Sequence, residues 1–131
     1  MIVLDTHVWV WWVSGSAPLS SRAEQTIAEG VAERAIHISS ISAWEVAQLV
    51  ARRRLELSMD VADWIARSES LPFIHFVAVD NRIAVRATRL PGDLHNDPAD
   101  RMIISTAQVL GARLLTRDEK LWDYPHVETV W

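Results

Sequence analysis

Short apolar runs alternate along this chain with longer segments in which apolar residues recur at helical spacing. The apolar runs predict buried strands at 1–4, 36–39, 73–79 and 113–116, with a short fifth strand at 127–130. The helical spacing predicts helices at 6–13, 21–31, 43–53, 60–68, 83–90 and 98–110. Such alternation implies right-handed crossovers, so we predict one α/β domain over residues 1–131 with a central, mostly parallel sheet flanked by helices.

Composition supports a folded domain and excludes several classes of protein. Half of the 131 residues are hydrophobic and seven are Trp, which excludes a disordered chain. The absence of Cys excludes disulfide frameworks and Cys-ligated metal sites. A net charge of -4 argues against a nucleic-acid binder that relies on a basic surface alone, although metal ions held by acids reverse the local field.

Neither membrane insertion nor secretion is predicted. No apolar run approaches the ~20 residues of a membrane-spanning helix. The first residues also lack the basic segment that opens a secretory signal. We therefore expect a cytoplasmic protein.

Acidic residues stand where predicted strands end and predicted helices begin. Asp5 directly ends the first apolar run. The acids in these two positions are Asp5, Glu45, Asp80, Asp97, Asp100 and Asp118. In a parallel sheet, the carboxyl ends of the strands and the starts of the following helices share one edge, so all six can lie near one crevice.

Helix capping is the alternative explanation for most of these acids. The segment 42–45 matches a capping box that ends in Glu45, and Asp97 before Pro98 fits an N-cap that places Asp100 in the first turn. Asp80 and Asp118 also precede helix-like segments. Asp5 is different, because Thr6 offers an alternative cap for the apolar helix that follows.

Carboxylates gathered at one crevice repel one another unless a cation lies between them. Oxygen ligands without Cys suit Mg²⁺ or Mn²⁺ better than zinc. The histidines are scattered and form no HExxH motif, although His7 and His95 lie near candidate acids, where either can bind a phosphate or carry a proton. A metal site built from acids is therefore the hypothesis that we carry forward.

Other familiar catalytic motifs are absent. The chain contains no GxGxxG, GxxxxGK[ST] or GxSxG pattern. An aspartyl-phosphate enzyme built on Asp5 stays open, but His7 stands where a haloacid-dehalogenase-type phosphatase carries its second Asp.

Four motifs, in a fixed order, span essentially the whole chain. They are Leu4-Asp5-Thr6-His7, Ser42-Ala43-Trp44-Glu45-Val46, His95-Asn96-Asp97-Pro98-Ala99-Asp100-Arg101 running into Ile103-Ile104-Ser105-Thr106-Ala107, and Leu115-Thr116-Arg117-Asp118. Together they resemble the PIN domain, and within that family the VapC-type toxins of prokaryotic toxin–antitoxin pairs.

This resemblance implies a three-layer PIN-like fold and an endoribonuclease that depends on Mg²⁺ or Mn²⁺. It carries the four family acids onto Asp5, Glu45, Asp100 and Asp118, of which Asp118 can act through water, and it makes Asp97 an additional or competing metal ligand. The mechanism that the resemblance implies is hydrolysis of RNA by metal-activated water, which would leave 5′-phosphate and 3′-hydroxyl ends. The implied partners are an RNA substrate, a VapB-type antitoxin and a second copy of the chain in a homodimer.

Arginine and tryptophan residues give further expectations. Arginines 52–54, Arg82, Arg86 and Arg89 are candidates to meet the RNA backbone, although three consecutive arginines at a helix end are also explained by solvation alone. Trp44 and Trp64 fit core positions of their helices. Trp9, Trp11 and Trp12 crowd one short helix, which indicates either an exposed protein interface or tight local packing.

Two other functions remain as alternatives to a ribonuclease. The first is a catalytically silent protein-binding module, in which the acids are only helix caps and the Trp-rich surface recognises a protein. The second is a small metal-dependent phosphatase acting on phosphomonoesters.

Overall fold

A computed structural model describes residues 1–131, and its centre is a five-stranded sheet in which every strand pair is parallel. The strands are β1 (Ile2–Leu4), β2 (Ile36–Ser39), β3 (Ile74–Val77), β4 (Arg113–Leu115) and β5 (Thr129–Val130), in the order β3-β2-β1-β4-β5. The first strand is central, because Ile2 aligns with Ile36 on one side and Arg113 on the other. The predicted α/β class is confirmed.

Seven helices surround the sheet. They are α1 (Thr6–Ser14), α2 (Ser21–Ala32), α3 (Ser40–Ala51), α4 (Val61–Glu69), α5 (Asn81–Thr88), α6 (Pro98–Leu110) and α7 (Glu119–Trp122). Helix α6 is typical of how the sequence sets these boundaries. Asp97 caps its N-terminus, Pro98 occupies the first turn, and Gly111 ends it with a φ of 65°.

The strand period of two divides the core into two clusters, one on each face of the sheet. Ile2 and Leu4 belong to the cluster that contains Trp9 of α1 and Trp64 of α4. Val3 belongs to the other cluster, which contains Ile103 and its neighbours in α6. Because β1 is buried on both faces, it reads as a continuous apolar run in the sequence. Its polar end at Asp5 is thereby held rigidly at the edge of the sheet.

Two predictions about the third helix are wrong. It begins at Ser40 and not near residue 43, because the Ser39 side chain accepts a hydrogen bond from the Ile41 N–H and caps it. Trp44 was expected in the core but is 54% exposed. Ser42 and Val46 are buried one turn apart, so Trp44, midway between them, faces away from the core.

The three tryptophans of α1 differ in how deeply they are buried. Trp9 is fully buried, and its Nε1–H donates to Ser68 Oγ at 3.1 Å, while Trp11 and Trp12 are only partly buried. Trp64 lies in the core as predicted. Not all of the tryptophans on α1 are buried, and an apolar surface remains around this helix.

None of the seven helices has the length and apolar character needed to cross a bilayer.

Candidate active site

Five of the six acids singled out in the sequence line one cleft at the carboxyl edge of the sheet. They are Asp5, Glu45, Asp97, Asp100 and Asp118. Asp80 does not line this cleft, and its carboxylate caps α5 by accepting from the Ile83 N–H at 2.9 Å. His7, Arg117 and Lys120 complete the polar lining. The convergence follows from topology, because β1 and β4 are neighbours and end side by side.

Asp5 is the most deeply placed of these acids, at 8% exposure. Its Oδ1 accepts from the Thr6 N–H at 2.8 Å, and its Oδ2 accepts from the Thr116 hydroxyl at 2.7 Å. Asp5 is therefore itself the N-cap of α1, and the expectation that Thr6 would provide this cap is wrong. Both carboxylate oxygens are fixed in direction by donors from two different strand ends.

Thr6 instead connects Asp5 to Glu45. Its hydroxyl oxygen lies 2.5 Å from Glu45 Oε1 and 2.8 Å from Ser42 Oγ. A hydroxyl carries one proton, so it donates to the carboxylate and accepts from the serine. Glu45 lies more than one turn inside α3, which begins at Ser40, so the predicted capping box from Ser42 to Glu45 does not form. Capping does not explain Glu45.

The start of α6 contributes two acids with different partners. Asp97 Oδ1 accepts from the Asp100 N–H at 3.0 Å, as expected of an N-cap. Asp100, in the first turn, turns its Oδ2 toward His95 Nε2 at 2.7 Å. This is the one ion pair in the structure within 4.0 Å, and it exists only while His95 is protonated.

Thr116 joins the first strand end to the fourth. Besides donating to Asp5, its hydroxyl accepts from the Asp118 N–H at 3.0 Å, and its carbonyl accepts from Trp122 Nε1 at 2.8 Å. Asp118 caps α7 through the Lys120 N–H. The short helix α7 was missed in the sequence, but the role of Asp118 as a helix cap was one of its two predicted explanations.

Three helices begin at this cleft, each with an aspartate at its N-cap: Asp5 for α1, Asp97 for α6 and Asp118 for α7. The partial positive charge of these helix starts favours the carboxylates, yet it is weaker than a full cation. No Lys or Arg side chain lies within 4.0 Å of a cleft acid. Negative charge therefore exceeds positive charge at the centre of the cleft.

Burial, with a smaller contribution from neighbouring negative charge, raises the pKa values of three acids in the cleft. Burial raises the pKa of Glu45 to about 7, and the charges of Asp5 and Asp100 add to this. Burial raises the pKa of Asp100 to about 6 against the opposing effect of His95. Burial also raises the pKa of Asp5, although the donors Thr116 and Thr6 oppose the shift. Clefts with such shifted groups are typical of functional sites.

The cleft has oxygen donors of the kind that Mg²⁺ and Mn²⁺ prefer, but not yet a coordination shell. No three of its acids and histidines stand close enough together to hold an ion as they are. Each carboxylate is instead turned toward a donor of the protein, as Glu45 is toward Thr6 and Asp100 toward His95.

Sequence reasoning gave Thr6 and Ser42 only capping roles and gave Thr116 none, so it missed the hydrogen bonds of these hydroxyl groups within the site. A signal was present, because Thr116 ends an apolar run just as Asp5 does. Arg117 was also passed over, and its guanidinium lies over the Trp11 ring at 5.6 Å on the rim of the cleft.

Comparison with known proteins agrees with this fold and with the motifs that form the cleft. The family model described as PIN domain matches residues 2–127. The chain belongs to the PIN domain family. It is 35% identical over 132 residues to Ribonuclease VapC22 of Mycobacterium tuberculosis, which covers 99% of this chain and 98% of that protein. The predicted family is confirmed, and VapC ribonucleases are among the relatives of this PIN-domain protein.

Solved structures share the fold at low sequence identity. A structure of VapBC2 from Rickettsia felis bound to a promoter DNA fragment matches with a TM-score of 0.73 and 18% identity, over 99% of this chain and 98% of that one. A toxin–antitoxin complex from Klebsiella pneumoniae matches with a TM-score of 0.66 and 19% identity, over 100% and 97%. At this identity the likeness concerns the PIN fold.

Proposed function

We propose that this PIN-domain protein is an endoribonuclease dependent on Mg²⁺ or Mn²⁺, and the toxin of a VapBC-type pair. The observation that carries the proposal is the gathering of Asp5, Glu45, Asp100, Asp97 and Asp118 in one cleft without a basic side chain between them. Likeness to a ribonuclease over the whole chain supports the same activity.

Asp5, Glu45 and Asp100 are the residues that would hold the ion, because burial and mutual repulsion favour a cation among them. Asp97 and Asp118 would act from the rim, since both are less buried than Asp5 and Asp97 is exposed. When bound, the metal lowers the pKa of a water molecule and neutralises charge on the phosphoryl oxygens.

The protein's own groups fix the direction of these ligands and the entry of the substrate. Thr116 and the Thr6 N–H hold Asp5, and Thr6 and His95 hold Glu45 and Asp100. Arg117 and Lys120 on the rim face an incoming phosphodiester with positive charge. No side chain is needed as a covalent nucleophile.

Cleavage of RNA under controlled metal conditions tests this function. The purified protein should cut a structured RNA with Mg²⁺ or Mn²⁺, lose this activity in EDTA, and leave 5′-phosphate and 3′-hydroxyl ends. Cleavage that persists in EDTA contradicts the proposal. Hydrolysis of a phosphomonoester without cleavage of RNA indicates a phosphatase instead, and inactivity on both indicates a binding module.

We further propose that a VapB-type antitoxin covers the groove between α1 and α2. Two structures that share this fold were solved as toxin–antitoxin or VapBC assemblies. The groove is lined mostly by apolar residues: Trp11, Trp12, Ala17, Pro18, Leu19, Ile27, Ala28 and Val31. Exposed apolar grooves of this kind are typical of protein interfaces.

A small antitoxin-like protein encoded beside this chain's gene provides the test. Co-expressed, it should bind the chain and suppress cleavage of RNA. Ala28→Glu places a charge at an exposed position of the groove and should weaken the complex. Ala62→Glu, at an exposed position of α4 outside the groove, should not. An Ala28→Glu complex as tight as the original contradicts this placement.

Size-exclusion chromatography with light scattering tests the homodimer that the family resemblance implies.

A further inference from the structure

A second groove on the molecule is lined by arginine and carries no acidic side chain. It lies along α5 and α6, and its lining residues are Asn81, Arg82, Val85, Arg86, Arg89, Leu90, Pro91 and Gln108. We call Arg82, Arg86 and Arg89 the arginine stripe. All three side chains are exposed, and none forms a salt bridge within 4.0 Å. In a chain of net charge -4, this is a local concentration of unneutralised positive charge.

Helical geometry aligns the arginine stripe. Residues 82, 86 and 89 lie four and three positions apart and so share one face, with rises of about 6 and 4.5 Å between them. On the neighbouring face, Ile83 and Ala87 are buried and hold α5 against α6. The Ser105 hydroxyl donates to the Ile83 carbonyl at 2.8 Å, which locks the two helices together.

The middle arginine, Arg86, is held in position by two consecutive hydrogen bonds, which we call the relay. Arg86 Nε donates to Gln108 Oε1 at 2.7 Å, and Gln108 Nε2 donates to the His126 carbonyl at 2.9 Å. Because Gln108 is fixed from both sides, it holds the Arg86 guanidinium while the two terminal nitrogens stay free of protein acceptors. A planar, preoriented guanidinium suits the oxygens of a phosphate.

The stripe is connected to the helix that carries part of the acidic cleft. Arg101 Nε donates to the Ala87 carbonyl at 2.9 Å, and its Nη1 donates to the His95 carbonyl at 3.4 Å. His95 in turn contacts Asp100 in the cleft. The end of α5, followed by Arg89, is therefore tied to the start of α6.

We propose that the arginine stripe binds the phosphate backbone of the RNA substrate outside the acidic cleft. This inference rests on the ribonuclease function proposed above. An RNA is favoured over a protein partner because the groove contains no aromatic ring and only two apolar side chains, Val85 and Leu90, apart from Pro91. Three guanidinium groups without base-stacking rings indicate contacts to phosphates, which do not depend on base sequence.

The other cluster of arginines serves as a matched control. Arg52, Arg53 and Arg54 follow the end of α3, a helix of 12 residues that is about 18 Å long and begins at the cleft edge. They are exposed and carry the same total charge as the stripe. They differ from the stripe in that all three follow the end of their helix, whereas Arg82 and Arg86 lie within α5.

RNA binding in EDTA separates the stripe from general charge. The probe is a fluorescein-labelled oligouridine, titrated at several salt concentrations with the intact protein, with Arg82→Gln/Arg86→Gln/Arg89→Gln, and with Arg52→Gln/Arg53→Gln/Arg54→Gln. Losing three phosphate contacts should weaken binding about ten-fold or more and lower the slope of log K against log salt by about 2. The control triple variant should keep most of the binding affinity and most of the salt slope.

Gln108→Ala provides a second readout. It removes the relay but no charge, so we expect weaker binding by a few-fold with an unchanged salt slope. Equal losses in the two triple variants, or no loss in either, overturn the proposal. Retained RNA binding together with a lost antitoxin complex overturns it as well and makes the stripe a protein interface.

Failure of the stripe proposal can be told apart from failure of the ribonuclease proposal. Stripe-dependent binding without any cleavage contradicts the nuclease and leaves the stripe standing. Metal-dependent cleavage of a long RNA at the same KM in the intact protein and the stripe variant contradicts the stripe alone.

Discussion

At the scale of single residues, the site depends on hydroxyl groups as much as on carboxylates. The acids were predictable because they stand where apolar runs end or predicted helices begin, within motifs that occur in a recognisable order. The hydroxyls were not, because their partners are far away in sequence: Thr6 and Glu45 are 39 residues apart, and Thr116 and Asp5 are 111 apart. Only the folded sheet brings these groups together, so their roles follow from topology and not from local pattern.

Thr6→Val tests the importance of the hydroxyl network. Thr6 is 1% exposed, and valine keeps its shape but leaves Ser42 and Glu45 without their shared partner. We expect a loss of about 1 to 3 kcal/mol in the free energy of unfolding. Urea denaturation measures it. Thr106→Val is the control, since that hydroxyl only donates to the Met102 carbonyl of its own helix. Equal losses in the two variants would argue against the network.

The raised pKa values predict how stability depends on pH in the absence of divalent cations. Glu45 has an ordinary value of 4.5 and a folded value of about 7, so between these the folded state binds more protons than the unfolded state. Stability contributed by this group therefore falls as pH rises through that window. Asp100, between 3.8 and about 6, acts in the same direction.

Melting curves from pH 4.5 to 7.5 in EDTA test this sign. Glu45→Gln should flatten the decline in melting temperature between about pH 4.5 and 7. Glu69→Gln, at an exposed position of α4, should leave it unchanged. A slope that is the same in Glu45→Gln and the intact protein contradicts the assignment.

At the scale of elements, patterns located strands and long helices well and helix starts less well. Helix α6 was predicted from its cap to its terminal glycine because all of its signals are local. The start of α3 was misplaced because Ser39, Ser40 and Ser42 all offer capping hydroxyls, and only the end of β2 selects Ser39. The four residues of α7 are too few to show a helical period.

The contact of α2 with β2 gives a prediction at this scale. A Cβ on Gly30 would lie 2.4 Å from Ile36 Cδ1, inside a fully buried contact. Gly30→Ala should therefore destabilise the protein by about 1 kcal/mol, since overpacking outweighs the gain in helix propensity. Thermal or urea unfolding measures it.

A second substitution isolates the cause. Ile36→Val removes the Cδ1 atom, so Gly30→Ala added to it should be neutral or stabilising relative to Ile36→Val alone. If Gly30→Ala costs the same in both backgrounds, the close approach of α2 to β2 is not what limits this position.

At the scale of the whole molecule, the fold class and family followed from the sequence, but the strand order did not. Alternating strands and helices predict a parallel sheet without saying which strand is central. The order β3-β2-β1-β4-β5 places Asp5 between strand ends that also lead to Glu45 and Asp118. This order brings five of the six candidate acids into one cleft and leaves the sixth, Asp80 after edge strand β3, outside it.

A bound cation should stabilise the molecule as a whole. A ligand that binds only the folded state, present at 100 times its dissociation constant, adds about 2.7 kcal/mol to the free energy of unfolding. Mg²⁺ should therefore raise the melting temperature, and more at pH 8 than at pH 5, because the Glu45 and Asp100 carboxyls release their protons in between. Differential scanning fluorimetry measures this shift. No shift at either pH with saturating Mg²⁺ or Mn²⁺ contradicts a cation site in the cleft.

The central claim is that RNA is cut in the cleft around Asp5, and that acids outside this cleft take no part. Asp5→Asn and Asp80→Asn make the same chemical change at the ends of two strands, and both side chains cap helices, but only Asp5 lines the cleft. The decisive measurement is the single-turnover rate of RNA cleavage with Mn²⁺ for these two variants and the intact protein. We predict a loss of about 100-fold or more for Asp5→Asn and an unchanged rate for Asp80→Asn. Equal rates in the two folded variants would contradict the account.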